Sequence, residues 1–424
     1  MTDSTVVPLD PIVEQNLGEI YGTPPAELVS GLQALLEDPI DRHAGGELWD
    51  ENDVVLITYA DQIRDGVQSP LAAQTRWLRD NAMPDRLSCV HLLPFCPYTS
   101  DDGFSVVDYL AVDPASGDWE DIDSMGQSFD LMFDLVLNHS SQAHAWFQSF
   151  LRGDPRYADY YVTADPSLDY SGVVRPRSLP LLTPFDFQGS QRHVWTTFSD
   201  DQVDLNYANP RVMLDMIDTL LQYSRRGGRI IRLDAIAYLW KTLNTSCIHL
   251  PQTHATVRLM RRVLDLAAPG TLVLTETNVP HAENISYLGD GTNAAHMVYQ
   301  FSLPPLLLEA VHSGDTTLLQ RWMADLRPPS HSTTFFNFTA SHDGIGVRPL
   351  EGLVPDERLN VLVQAVRSGG GRVNTRRRAD GTDSPYELNI TYRDAVARPG
   401  ISRSQHAARF LATQAIMLTL QGIP

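Results

Sequence analysis

The stretch 228–237 constrains this chain more than any other. Ile230, Ile231 and Leu233 form the short apolar, β-branched run of a strand buried on both faces. Arg232 and Asp234 stand where that run should stop. Charge at the end of a buried parallel strand is costly unless it is paired or put to use. In a barrel of parallel strands that end is where catalytic groups collect. Taken alone, the pair reads equally as a structural Arg–Asp ion pair, so the other strand ends must decide.

Strands are expected over 54–59, 87–95, 129–137, 229–234, 271–276, 296–301 and 333–338. Helices are expected over 12–21, 25–36, 71–80 and 405–418, with another opened by Asn209-Pro210 and stopped by Gly227-Gly228. Two segments break the alternation. Residues 140–200 are rich in Pro, Tyr, Asp and Arg and too long for a plain loop. Residues 344–400 look irregular and contain Gly369-Gly370-Gly371 and the basic run Arg376-Arg377-Arg378. The reading is α/β: a (β/α)8 TIM barrel lacking its last strand–helix unit, with insertions after strands three and seven. It divides the chain into 1–139 (first helices and first part of the barrel), 140–200 (an inserted subdomain), 201–343 (barrel continued), 344–400 (second insertion) and 401–424 (last helix). A doubly wound sheet is the alternative, but no Gly-rich phosphate fingerprint follows the first strand.

Composition narrows the partners. A net charge of −20 argues against nucleic acid and anionic membranes. An anionic substrate would need a local basic pocket, built from arginine because Lys241 is the only lysine. Cys89, Cys96 and Cys247 lack metal-ligand spacing and read as reduced thiols. With no signal-peptide pattern and no apolar run of membrane-spanning length, a cytoplasmic protein without metal or cofactor is expected. Oligomeric state is not readable.

Four strand ends carry clustered polar residues: Asp134-x-x-x-Asn138-His139, Arg232-x-Asp234, Glu276-Thr277-Asn278 and His342-Asp343. Each is a weak motif by itself, and an isolated His-Asp pair is more often structural. Placed at the ends of consecutive or near-consecutive parallel strands, they converge on one mouth. Three carboxylates, two histidines and an arginine there suit glycosyl transfer, in which one carboxylate attacks, a second protonates the leaving oxygen and a third steadies the ring.

In this order and spacing, these segments resemble the conserved regions of the α-amylase superfamily, glycoside hydrolase family 13. The resemblance implies Asp234 as nucleophile, Glu276 as acid/base and Asp343 as transition-state stabiliser. It further implies that His139 and His342 bind sugar hydroxyls, that Arg232 holds Asp234 ionised, and that Asp134 and Asn138 are structural. Asn138 matches a position that carries calcium in many amylases. The flanks, among them Asp102-Gly103-Phe104, Gly117-Asp118-Trp119, Arg175-Pro176-Arg177 and His342-Asp343-Gly344-Ile345-Gly346, resemble the sucrose phosphorylase subfamily. That adds Asp101 and Phe104 to the glucose subsite, with the ring stacking on the sugar. The segments 275–281 and 175–182 look closer to the glucosylglycerate phosphorylase branch.

The resemblance therefore implies a retaining glycoside phosphorylase that moves a glucosyl unit from an α-glucoside to inorganic phosphate. Arg177, with Arg175 behind it, is the candidate cation for phosphate. Sucrose or sucrose 6'-phosphate phosphorylase, an α-glucoside hydrolase or transglucosidase, and a non-catalytic carbohydrate-binding fragment are the alternatives. The family barrel closes with an eighth strand after Gly422-Ile423-Pro424, so a C-terminally truncated barrel is expected.

Overall fold

The computed structural model describes residues 8–41, 43, 45, 47–176, 179–377 and 382–424. They form two compact units: one of residues up to Val174 with Leu179–Thr275 and Asn293–Ala295, the other of Arg175 and Pro176 with Glu276–Thr292 and His296–Pro424.

The first unit starts with helices α1 (Pro11–Tyr21) and α2 (Ala26–Leu36). Pro11 sits in the first turn of α1, and Asp10 caps it by accepting from the backbone N–H groups of Ile12 and Val13. Strand β1 (Val55–Thr58), helix α3 (Pro70–Asp80), β2 (Cys89–Leu92), α4 (Trp119–Gly126) and β3 (Asp130–Val136) follow in alternation. The segment 139–204 carries β4 (His139–Ser141), helix α5 (Ala145–Leu151), the hairpin β5 (Leu182–Phe187) and β6 (Ser190–Trp195), and β7 (Gln202–Asp204), which pairs antiparallel with β4. Helix α6 (Pro210–Arg225) is capped by Asn209 and buries Met213, Met216, Ile217, Leu220 and Leu221 on one face. Each such side chain contributes about 1.5–3 kcal/mol of transfer free energy. The alternation ends with β8 (Gly228–Asp234), α7 (Pro251–Ala267) and β9 (Leu272–Thr275). The sheet of this unit is parallel throughout, in the order β1-β2-β3-β8-β9.

The second unit contains α8 (His281–Ile285), β10 (Met297–Tyr299), α9 (Leu303–Ser313), α10 (Thr317–Asp325) and β11 (Thr334–Phe336), with β10 and β11 paired in parallel. Beyond β11, Ile423 makes a parallel bridge to Phe336. Its N–H donates to Phe335 O and its carbonyl accepts from Asn337 N–H, both at 2.8 Å. Gly422 permits this approach, because a Cβ there would stand 2.5 Å from Phe335 O. The ladder position after the seventh expected strand is thus already taken by Ile423, one residue before the chain's last.

The insertion 344–400, expected to be irregular, carries regular elements in its described residues. It comprises β12 (Ile345–Gly346), the 13-residue helix α11 (Asp356–Ser368), β13 (Arg372–Arg377), β14 (Asp383–Asn389) and the short α12 (Tyr392–Ala395), followed by α13 (Arg403–Thr419). Strands β12, β14 and β13 form an antiparallel sheet. Helix α11 buries only Leu362, Val363 and Val366, too short a stripe to announce itself by period. Gly369-Gly370-Gly371 is the turn between α11 and β13. Its amides donate to the helix's last carbonyls, and a Cβ on Gly371 would meet Val366 Cγ1 at 2.6 Å. Gly371 is the position of the three where close packing requires a glycine. Among the described residues, no helix is long and apolar enough to cross a membrane.

Candidate active site

In the first unit the site grows out of strand register. Parallel pairing of β3 with β8 sets Asp134 opposite Arg232 and Val136 opposite Asp234, and residues two apart on a strand share a face. Arg232, almost wholly buried, donates from Nη1 to Asp134 Oδ1 at 2.5 Å and to Asp234 Oδ1 at 2.6 Å. On β2, His91 Nε2 lies 2.6 Å from Asp134 Oδ2. Asp134 is therefore enclosed between a histidine and an arginine, and Arg232 bridges two carboxylates. The guanidinium also lies over the Phe104 ring, 5.6 Å from its centroid. Burial pushes the Asp234 carboxyl above its ordinary pKa. The charge of Arg232 pulls it back, and that of Asp134 adds to the rise. Immediately after Asp234 the chain turns through a left-handed Ala235, φ 50°.

His139 is held in one tautomer. Its Nδ1 accepts from Asn138 Nδ2 at 3.2 Å, so Nε2 carries the proton and donates to Phe104 O at 3.0 Å. Burial lowers its pKa, against the opposing charges of Asp234 and Asp204, and keeps the ring neutral. Gln202 Nε2 donates to Asp101 Oδ2 at 2.9 Å and lies 3.2 Å from His139 Nε2. Asp101, Asp102 and Gly103 all have positive φ (55°, 48° and 109°), and Phe104 follows them.

Lys241, the sole lysine, is buried beneath this layer. Its Nζ lies 2.7 Å from both Asn138 Oδ1 and Asp204 Oδ2, while Asp204 also accepts from the backbone N–H and Oγ1 of Thr197. An ammonium therefore stands against the amide oxygen of Asn138. Among the described residues, no group of three or more His, Cys, Asp or Glu side chains could hold a metal ion.

In the second unit Glu276 comes directly after β9 in the chain, and Asn278 two residues later packs on Gly346, where a Cβ would stand 2.5 Å from Asn278 Nδ2. The Asp343 carboxylate is half-exposed and 3.4 Å from Nε2 of the largely buried His342. The Asp343 amide donates to Ser341 Oγ at 3.1 Å, and the Gly344 amide donates to Glu387 Oε1 at 3.1 Å. Glu387 is in turn held by Asn374 Nδ2 at 3.2 Å. A cavity of about 190 Å³ opens here, walled by Phe301, Phe338 and Tyr392 and floored by Asn278, Asp343 and Gly344. Arg175 is half-buried, its Nε and Nη2 have no hydrogen-bond partner among the described residues, and burial lowers its pKa. Arg177 lies outside the described residues, as does Arg378; Arg376 is ion-paired with Glu351.

The expected residues thus fall into two groups. Asp234, Arg232, His139, Phe104 and Asp101 come together in the first unit, while Glu276, His342, Asp343 and Arg175 belong to the second. Sequence reasoning missed His91, Gln202, Asp201 and Glu387. His91 carried a usable signal, a histidine inside the buried run Cys89-Val90-His91-Leu92. The others lie in segments without periodicity.

Residues 87–343 match the family model of the α-amylase catalytic domain. The glucosylglycerate phosphorylase of Escherichia coli K12 is 48% identical over 417 residues, covering 96% of this chain and 74% of that protein. The sucrose phosphorylase of Agrobacterium vitis is 31% identical over 399 residues, covering 88% and 76%. The crystal structure of sucrose 6F-phosphate phosphorylase from Thermoanaerobacter thermosaccharolyticum superposes with a TM-score of 0.76 at 27% identity, covering 88% of this chain and 75% of that one. The chain belongs to the α-amylase family, with that family's TIM-barrel fold, and within it to the glycoside phosphorylases related to those of glucosylglycerate and sucrose.

Proposed function

We propose that this chain is a retaining phosphorylase that exchanges a glucosyl unit between glucosylglycerate and inorganic phosphate, yielding α-glucose 1-phosphate and glycerate. The observation that carries the reading is the contrast between 48% identity to a glucosylglycerate phosphorylase and 31% to a sucrose phosphorylase over comparable spans. In this mechanism an Asp234 oxygen attacks the anomeric carbon as Glu276 gives its proton to the leaving glycerate oxygen. The bond to glycerate breaks and a β-glucosyl ester of Asp234 remains. A phosphate oxygen then attacks from the face that glycerate left, restoring the α configuration and freeing the carboxylate; Glu276 takes up a proton if phosphate must lose one. Asp343 balances the positive charge of the ring in both steps.

Two features support the assignment. Burial raises the Asp234 carboxyl while Arg232, 2.6 Å away, pulls it back, so the buried nucleophile has a cation beside it that favours its ionised form. Arg175 has two guanidinium nitrogens without a partner among the described residues, and phosphate and glycerate are both anions in need of such a fork. The partners under this reading are a small sugar substrate and phosphate, in a cytoplasmic setting.

The test supplies α-glucose 1-phosphate with glycerate, fructose or water and follows phosphate release. Release that depends on glycerate and exceeds that with fructose is expected. Preference for fructose would return the protein to sucrose phosphorylase, and equal release with water alone would show glucose 1-phosphate hydrolysis without the acceptor-dependent transfer that the proposal requires.

A further inference from the structure

Asp201 lies just before Gln202 and gathers hydroxyl donors from Thr99, Ser100 and Ser105. Its Oδ2 accepts from Thr99 Oγ1 at 2.6 Å, Ser100 Oγ at 2.5 Å and Ser105 Oγ at 2.8 Å, while Ser141 Oγ lies 3.4 Å from Oδ1. Its backbone carbonyl accepts again from Ser105 Oγ at 3.0 Å and from Gln142 N–H at 3.1 Å. Burial works to raise its pKa, but the bonds from Ser100, Thr99 and Ser105 outweigh it and hold the carboxyl below its ordinary value.

Ser100 and Ser105 are the two ends of the turn that presents Asp101 and Phe104. Between them lie three consecutive left-handed residues, two of which are not glycine. Such a backbone persists only where its surroundings over-determine it. One carboxylate grips both ends of the turn, and the neighbouring Gln202 grips Asp101 itself.

We propose that Asp201 is a positioning residue for sugar binding: it acts through Ser100 and Ser105 to hold Asp101 and the Phe104 ring in place. The claim rests on the glucose-subsite reading of those two residues, so its test has one arm that does not depend on that reading. Amide hydrogen exchange over 99–107 is measured for the 424-residue chain and for its Asp201→Ala and Asp201→Asn variants. Affinity for α-glucose 1-phosphate is measured by calorimetry in an Asp234→Asn background, where the sugar binds without turning over. Asp315→Ala, which removes a surface partner of Arg358 far from this turn in sequence, controls for general loss of stability.

Asp201→Ala should speed exchange over 99–107 and weaken sugar binding, each by about tenfold or more, with Asp201→Asn intermediate. Asp315→Ala should change neither. Unchanged exchange in the Asp201 variants would overturn the placement. Faster exchange with unchanged affinity would overturn the role in binding. An Asp234→Asn protein that binds no sugar phosphate would count against the phosphorylase reading, and the exchange arm would still decide what holds the turn.

Discussion

Arg232 and Asp234, two residues apart on β8, are joined by a 2.6 Å bond from Nη1 to Oδ1, and the same nitrogen holds Asp134. The arginine lowers the pKa of a carboxyl that burial raises. Its removal should therefore move that pKa further up. A nucleophilic carboxylate works only when ionised, so activity is lost as pH falls through its pKa. In Arg232→Met the acid limb of kcat/KM should shift to higher pH than in the parent. An unshifted limb would separate Arg232 from the ionisation of Asp234. The variant should also lose stability, by about 3–5 kcal/mol, because two buried carboxylates lose their common cation.

Asp234→Asn should abolish the covalent glucosyl-enzyme, and Glu276→Gln should slow both half-reactions. Losses on the order of a thousandfold or more are expected, since an amide neither attacks nor gives up a proton. Mass spectrometry after incubation with α-glucose 1-phosphate checks the first, and rapid-quench kinetics the second. Near-normal turnover in either variant would reassign the carboxylates.

Lys241 gives a prediction about structure rather than chemistry. Its ammonium is 94% buried, since the side chain is only 6% exposed, and pairs with a fully buried Asp204. Lys241→Met leaves that carboxylate without its cation and should cost about 3–5 kcal/mol in urea denaturation. Adding Asp204→Asn should return part of the loss, because a neutral amide needs no counter-charge. With an ammonium already against Asn138 Oδ1, a chelator should leave the thermal midpoint of the parent chain unchanged. A midpoint lowered by chelation and restored by calcium would show a metal role that the described residues do not reveal.

How legible was this in advance? The buried parallel strands were plain, because β8 and β9 are short runs of Ile, Leu and Val whose periodicity leaves little choice. Their polar ends were plain for the same reason, a charge being conspicuous in such a run. The hydrogen-bond layer around the site was not. Gln202 reaches Asp101 across 101 positions, and Asp201 reaches Ser100 across another 101; both lie in turns and short strands, where no period marks which polar side chain faces inward. Lys241 was visible as a lone lysine, but its burial depends on Asp204, 37 positions away, which the strand pairing of β4 with β7 brings beside Asn138. The second insertion was misjudged because α11 buries little and β13 alternates among polar residues, so neither shows an apolar stripe.

Stability should fall as the solution is made acidic, for a reason traceable to histidine. Burial lowers His144 and His254 to about 4. These groups regain an ordinary pKa near 6.5 on unfolding, so between about 6.5 and 4 the unfolded chain binds protons that the folded chain refuses. Each contributes a slope of up to about 1.4 kcal/mol per pH unit in that window, and none above it. His144 Nδ1 also caps α5 by accepting from Trp146 N–H at 3.1 Å. His144→Asn keeps an acceptor for that cap and should flatten the slope measured by urea denaturation at pH 7, 6, 5 and 4. An equally steep slope in the variant would place the acid sensitivity elsewhere.

Arg175 offers the sharpest test of the acceptor. Its Nε and Nη2 have no partner among the described residues, and its burial makes an unpaired cation costly. An incoming anion would relieve that cost, and phosphate and glycerate are the two anions the proposed reaction uses. Arg175→Ala should therefore weaken phosphate and glycerate together while leaving water's slow attack on the glucosyl-enzyme unaffected. Arg175→Lys should restore charge but not the two-pronged geometry, and so recover only part of the loss. Fructose, a neutral acceptor, supplies the control. If Arg175→Ala reduces transfer to fructose as much as transfer to glycerate, the guanidinium braces the fold and the anion site must be sought elsewhere.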